Sequence, residues 1–196
     1  MKRGVLIGLI VSLVFTSAAM AGTYTRDVII KAIVPETQGL NVVVSRVHKE
    51  GDDEVWEHVS EICFDDLSYN TEYHIFLPQH WYVIDVGVNS NASNWTISYT
   101  ATSIVGPNGY KLDNHINVVV LKQTEKNGYT LLKKCTYGEM LSASFDRSQL
   151  LGGWLRIYYG ISTGDEEIDP PNAEPITVDV PAGTYTGTIT ITLTTS

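Results

Sequence analysis

The sequence predicts an all-β protein, a β-sandwich of about nine strands. Apolar and polar residues alternate with a period of two in many short segments, and turn-forming residues separate these segments. A helical period is weak throughout the chain. Short strands at this spacing are typical of sandwiches and barrels, and we favour the sandwich.

The N-terminus has the organisation of a secretory leader. A basic pair at residues 2–3 precedes an apolar run over residues 5–15, and small residues at a cleavage-site spacing follow at 19–21. The apolar run is shorter than the roughly 20 residues that a membrane-spanning helix needs. We therefore expect a signal peptide over residues 1–21 and export to the periplasm, cell surface or extracellular space, with no membrane span in the mature chain. The remainder, from Gly22, suits one domain.

Strand candidates follow one another along the mature chain. The last of them alternates Ile189, Ile191 and Leu193 with threonines, as a strand with one buried face does. Asn127-Gly128 predicts a hairpin with a type I′ turn. Residues 144–150 are the most plausible short helix. The nine predicted strands cover residues 28–34, 40–47, 72–77, 81–88, 95–102, 116–122, 129–133, 154–161 and 185–194.

The net charge limits the classes of binding partner, and the two cysteines allow one disulfide. The net charge is −9, and loss of the leader leaves 11 basic residues against 22 acidic ones. This sign disfavours nucleic acid and anionic lipid as partners. An even pair of cysteines in an exported protein most often forms a disulfide, so we expect a bond between Cys63 and Cys135. Two buried thiols are the alternative.

No group of residues in the sequence indicates catalysis. The serines lack a Gly-x-Ser-x-Gly nucleophile motif, and no glycine-rich phosphate loop is present. We expect no enzyme activity, no cofactor and no metal site. The five histidines have no ligand spacing and are expected on the surface or in hydrogen bonds: His48, His58, His74, His80 and His115.

Two acidic features of the sequence each allow two structural interpretations. The loop over residues 162–172 is rich in carboxylates and proline; it could hold calcium, but its spacing is not that of an EF-hand, and a solvated loop is favoured. Asp85 lies within an apolar strand and is expected to be exposed on the pleat, with a buried, paired carboxylate as the alternative.

Aromatic residues supply an alternative function. Trp154 and Tyr158 fall on one face of a predicted strand, with Arg156 between them. An exposed tryptophan face would suit a monomeric secreted module that binds carbohydrate or a surface. Core or cross-strand packing is the commoner role of such aromatics.

The two ends of the mature chain carry related strands. The sequence Gly22-Thr23-Tyr24-Thr25 recurs as the run 183–186, and alternating apolar residues follow at both ends. Together with the Leu-Arg-Ile-Tyr-Tyr-Gly segment at 155–160, this closing strand resembles the archaic chaperone–usher pilins of the spore-coat-U-like group. The similarity covers mainly residues 154–196, with modest support from residues 23–34.

This resemblance implies an immunoglobulin-like sandwich that lacks one strand, which a neighbour's N-terminal strand supplies. The chain would be a fimbrial subunit with a donor strand in residues 22–34 and a sandwich domain over 35–196. Its partners would be copies of itself or related subunits, a periplasmic chaperone and an outer-membrane usher. The alternative is that residues 23–34 form an ordinary first strand within their own domain. The implied donor residues are Val28, Ile30, Ala32 and Val34, and the implied acceptor-edge residues are Ile189, Ile191 and Leu193.

Overall fold

The computed structural model describes six ranges of the chain: 23–29, 39–65, 67–90, 94–125, 128–150 and 153–195. The leader predicted for residues 1–21 lies outside them. So do Ile30, Ala32 and Val34, three of the four implied donor residues, and Asn127 of the predicted hairpin turn.

The described chain is almost entirely β-structure, which confirms the predicted fold class. Two single 3-10 turns, Pro107–Gly109 and Gly138–Met140, interrupt the strands. The strands are β1 Thr23–Ile29, β2 Leu40–Glu50, β3 Asp53–His58, β4 Ser68–Asn70, β5 Ile75–Leu77, β6 His80–Val88, β7 Trp95–Ala101, β8 Ile116–Glu125, β9 Gly128–Thr136, β10 Ser142–Asp146, β11 Trp154–Ile161 and β12 Thr188–Thr195.

The structure has twelve strands, and β3, β4 and β10 are the three that the sequence did not predict. β3 is exposed at nearly every position, and β4 has three residues. The short helix expected at 144–150 is wrong. Ser144 pairs with Ser98 of β7, and Phe145 enters the core while its neighbours stay exposed, so this segment follows a period of two.

The strands form a sandwich of two sheets. One sheet has the order β1-β12-β7-β10 and the other β3-β2-β6-β11-β8-β9, while β4 and β5 form a separate hairpin. The predicted hairpin around Asn127-Gly128 is present as the antiparallel pair β8–β9. The alternating positions of β11 that the sequence indicates as apolar all face inward: Leu155, Ile157, Tyr159 and Ile161 are buried.

The core lies between the two sheets. β6 contributes Ile84 and Val86 from one side, and β7 and β12 contribute Ile97 and Ile191 from the other, all at most 1% exposed. Each such side chain stabilises the fold by roughly 1.5–3 kcal/mol relative to exposure in water.

The two sheets contain the strand order of the immunoglobulin sandwich, with β3, β9 and β10 as additional edge strands and with a different strand in one position. In that fold, strands A to G follow one another in the chain and form the sheets ABED and CFG. Here β2, β6, β11 and β8 occupy A, B, E and D, and β7 and β12 occupy C and F. The strand beside F is β1. Position G is therefore filled by a strand that precedes A in the chain, instead of one that follows F.

The predicted disulfide is wrong: Cys63 and Cys135 are not bonded to each other. The carbonyl of Cys63 accepts a hydrogen bond from the hydroxyl of Tyr82 on β6, whereas Cys135 lies on β9. β11 and β8 separate these strands. At about 4.8 Å per strand, β6 and β9 are about 14 Å apart, but a disulfide needs Cα atoms within about 7 Å.

Candidate functional site

The edge formed by β1 and β12 brings together predicted donor and acceptor residues. β1 is the outer strand of its sheet and runs antiparallel to β12, with Val28 opposite Ile189 and Tyr24 opposite Leu193. Ile189, Ile191 and Leu193 are at most 1% exposed. One chain thus supplies both strands of the pair.

A cavity of about 770 Å³ lies beside this edge, between the two sheets. Ile116 and Ile161 line it from the six-stranded sheet, and Ile189 lines it from β12. The irregular segments 61–65 and 176–186 cover it. No sequence pattern indicated this cavity, because most of its covering residues, 61–65 and 176–184, show no alternation.

The lining of the cavity is mainly apolar. Three carboxylates, Glu61, Asp65 and Asp179, belong to its described lining, which contains no basic side chain. Deeper inside, the hydroxyl of Tyr137 donates to the carbonyl of Thr102 at 3.0 Å, so this buried hydroxyl has a partner. Burial raises the pKa of Tyr137 well above its usual range. The site can therefore hold apolar side chains.

The outer face of the six-stranded sheet carries a cluster of aromatic rings around one ion pair. Arg156 on β11 donates from Nε and Nη2 to the two carboxylate oxygens of Asp85 on β6, at 2.6 and 2.9 Å. The Asp85 side chain is only 19% exposed, which differs from the expected solvent exposure. The guanidinium carbon of Arg156 lies 4.9 Å from the ring centres of both Trp56 and Tyr129.

This pairing raises the pKa of Arg156 above its usual range, chiefly through the hydrogen bonds that Arg156 donates to Asp85. Trp56, Trp154 and Tyr129 are each about two-fifths exposed, at 38%, 40% and 42%. The sequence indicated the shared face of Trp154 and Arg156. It did not indicate Trp56 or Tyr129, because they lie on β3 and β9, at the two opposite edges of the sheet.

The acidic loop is organised around Asp169. Its carboxylate is 7% exposed and accepts hydrogen bonds from the Asn117 amide and from the backbone N–H groups of Thr163 and Gly164. Protein donors thus occupy both of its oxygens. Across the described ranges, no three His, Cys, Asp or Glu side chains are grouped to hold a metal ion.

The buried histidines have structural hydrogen bonds. Nδ1 of His115 lies 2.9 Å from the carbonyl oxygen of Glu174, and Nε2 lies 3.2 Å from the hydroxyl of Tyr110. Nε2 of His80 lies 3.3 Å from the carbonyl oxygen of Cys63. These contacts connect loops to the sheets. His48, His58 and His74 are partly or fully exposed.

Comparison with known proteins does not assign the chain to a family. No protein-family model matches it, and no significant match is found among curated proteins. In the part of the chain that the structure describes, no helix is long and apolar enough to cross a membrane.

Proposed function

We propose that this protein is the structural subunit of an extracellular fibre or surface assembly, polymerised by β-strand exchange. The observation that carries the proposal is the occupant of the G position. An N-terminal strand fills it, and that strand makes a single pairing, at the edge of its sheet. The same strand from a neighbouring copy can form the same pairing, because both copies have the same sequence.

The energetic argument concerns the surface that β1 covers. Without a strand in position G, β12 would present unpaired backbone groups and the apolar side chains Ile189, Ile191 and Leu193 at an open edge. Such an edge requires a partner. A neighbour's strand satisfies it as well as the chain's own, so exchange conserves every hydrogen bond of the pair.

The register gives each implied donor residue a place in the joint. Val28 lies opposite Ile189, and in the proposed joint the same antiparallel register continues along the acceptor chain. Ile30, Ala32 and Val34 of the neighbour would then oppose residues 187, 185 and 183. Residues 183–186 and Ile189 line the 770 Å³ cavity. In the proposed joint, the cavity would receive the apolar residues of the incoming strand.

Head-to-tail exchange produces a chain of subunits. Each copy gives β1 to one neighbour and accepts β1 from another, so the two contacts are different surfaces. Repeated contacts of this kind generate a filament, unless the rotation between neighbouring subunits closes a ring. A periplasmic chaperone and an outer-membrane usher, which the pilin resemblance implies, would protect the open edge and order the assembly at the cell surface.

The test compares the mature chain from Gly22 with a chain that begins at Pro35. Size-exclusion chromatography and negative-stain microscopy should show ladders or filaments for the first chain alone.

Two matched variants of β1 sharpen the test. Val28→Asp, opposite the buried Ile189, should prevent assembly, and Thr25→Asp, opposite Thr192 on the other face, should permit it. Monodisperse monomers of the mature chain would show that β1 is an internal strand.

A further inference from the structure

We propose that the outer face of the six-stranded sheet binds a neutral polysaccharide through an aromatic platform formed by Trp56, Tyr129 and Trp154. These rings belong to β3, β9 and β11 and are each about two-fifths exposed. The platform is on the sheet that does not contain β1 and β12, so this binding does not require strand exchange.

The position of the platform is fixed by its central ion pair. The side chains of Asp85 and Arg156 are 19% and 21% exposed, and they form two parallel hydrogen bonds. This geometry holds the guanidinium plane in one orientation. Trp56 and Tyr129 both contact that guanidinium at 4.9 Å, so the central cation orients rings from both edges of the sheet. The platform is therefore preorganised before a ligand arrives.

Trp154 is placed by a glycine. A Cβ atom at Gly87 would lie 3.1–3.3 Å from three atoms of the six-membered part of the Trp154 ring, which shows that the ring lies directly over this residue of β6. β6 pairs with both β2 and β11 without a register shift, so the surface beneath the ring is regular. A bulky side chain at position 87 would displace the ring.

The chemistry of the face suits a sugar chain. A pyranose ring has C–H groups on its faces and hydroxyl groups around its edge, so it can stack on an exposed aromatic ring while its hydroxyls bond to polar neighbours. Exposed Trp and Tyr rings give rigid, amphipathic contact area, and the Asp85–Arg156 pair places polar groups among them. Nucleic-acid bases also stack on aromatic rings, but the chain's net charge of −9 opposes a polyanion.

The test is affinity electrophoresis of the full mature chain in native gels that contain hydroxyethylcellulose, xylan, galactomannan or soluble starch. At least one of these polysaccharides should retard the protein. The double variant Trp56→Ala/Trp154→Ala should bind that polysaccharide roughly tenfold more weakly or worse, given the stacking energy of each ring. The matched control is Tyr73→Ala, which removes an aromatic ring that is 64% exposed in the turn between β4 and β5. It should be retarded as the wild type is.

Two further measurements keep the test decisive. The single variant Trp154→Ala, which removes a partly exposed ring, replaces the double variant if the latter does not fold. Size-exclusion chromatography of each variant shows whether the face joins copies of the chain. The proposal is overturned if none of the four polysaccharides retards the wild type, if the tryptophan variants bind as the wild type does, or if they change the oligomeric size and leave retardation unaltered.

Discussion

The hydroxyl of Tyr159 donates a hydrogen bond to the hydroxyl of Tyr99 at 3.1 Å in the centre of the core. Tyr159 lies on β11 of the six-stranded sheet, and Tyr99 lies on β7 of the four-stranded sheet. Both side chains are at most 2% exposed. This bond is a polar contact that fixes the two sheets relative to each other inside an otherwise apolar interior.

Replacing Tyr159 with phenylalanine should lower the free energy of unfolding by about 1 kcal/mol. The substitution removes the donor and leaves the Tyr99 oxygen without this partner in a site that water does not reach. Urea unfolding measures the change. Tyr73→Phe is the control, because Tyr73 is 64% exposed, and its stability should equal the wild type's. Equal stability of the two variants would show that the core hydrogen bond contributes nothing net.

Stability should fall steeply in alkaline solution, beginning near pH 10. Burial raises the pKa of Tyr82 to about 12 and raises the pKa of Tyr99, Tyr137 and Tyr159 further. A folded-state pKa above the unfolded value of about 10 means that the unfolded chain loses its proton first. The stabilisation is complete below pH 10 and is lost as pH rises through the folded pKa.

Urea unfolding as a function of pH, together with ultraviolet absorbance of tyrosinate, checks this expectation. The absorbance from the buried tyrosines should rise together with unfolding. Titration of these buried tyrosines before any loss of structure would contradict the described burial.

Two ion pairs on the same sheet should differ in their contribution to stability. Asp85→Asn should lower the free energy of unfolding by about 1–3 kcal/mol, because it leaves the Arg156 charge without its carboxylate in a mostly buried position. Glu57→Gln breaks the Arg46–Glu57 pair, whose side chains are 39% and 53% exposed, and should lower the stability much less, because solvent screens this pair. Chemical unfolding of both variants gives the comparison. Equal losses would contradict the assigned difference in burial.

The acidic loop should depend on Asp169 for its order and should not respond to calcium. Asp169→Asn places an amide opposite N–H donors, so we expect a loss of about 1–3 kcal/mol and faster proteolysis between residues 162 and 172. Glu166→Gln, at an exposed position, is the control. Added calcium should leave the melting temperature of the wild type unchanged, because protein donors occupy both oxygens of Asp169. A rise of several degrees in the melting temperature would contradict this account of the loop.

Alternation made the central strands predictable from the sequence. Leu155, Ile157 and Tyr159 face the core as their spacing indicates, because a strand with one buried face must alternate. The edge strand β3 and the short strand β4 escaped prediction for the opposite reason. Their side chains are mostly exposed on both faces, so burial imposes no pattern on them.

Contacts between distant segments were not predictable. The predicted disulfide between Cys63 and Cys135 is wrong because an even number of cysteines and an oxidising compartment say nothing about the order of strands in a sheet. In the structure, β11 and β8 separate Cys135 from the strand that Cys63 contacts. The 770 Å³ cavity is covered by irregular segments without periodicity. The cluster around Arg156 joins residues from four strands that are not consecutive in the chain, β3, β6, β9 and β11. The spacing of residues along the sequence predicts none of these contacts between distant segments.

Cysteine cross-linking between β1 and β12 tests the exchange of β1 most directly. Thr25 and Thr192 are directly opposite each other, at a separation that suits a disulfide. A Thr25→Cys/Thr192→Cys chain in a Cys63→Ala/Cys135→Ala background should form covalent multimers beyond the dimer on oxidation. Thr25→Cys alone, the control, can give at most a dimer. Non-reducing electrophoresis should show a ladder that collapses on reduction, whereas a fully oxidised monomer would show that β1 completes its own domain and would contradict polymerisation by strand exchange.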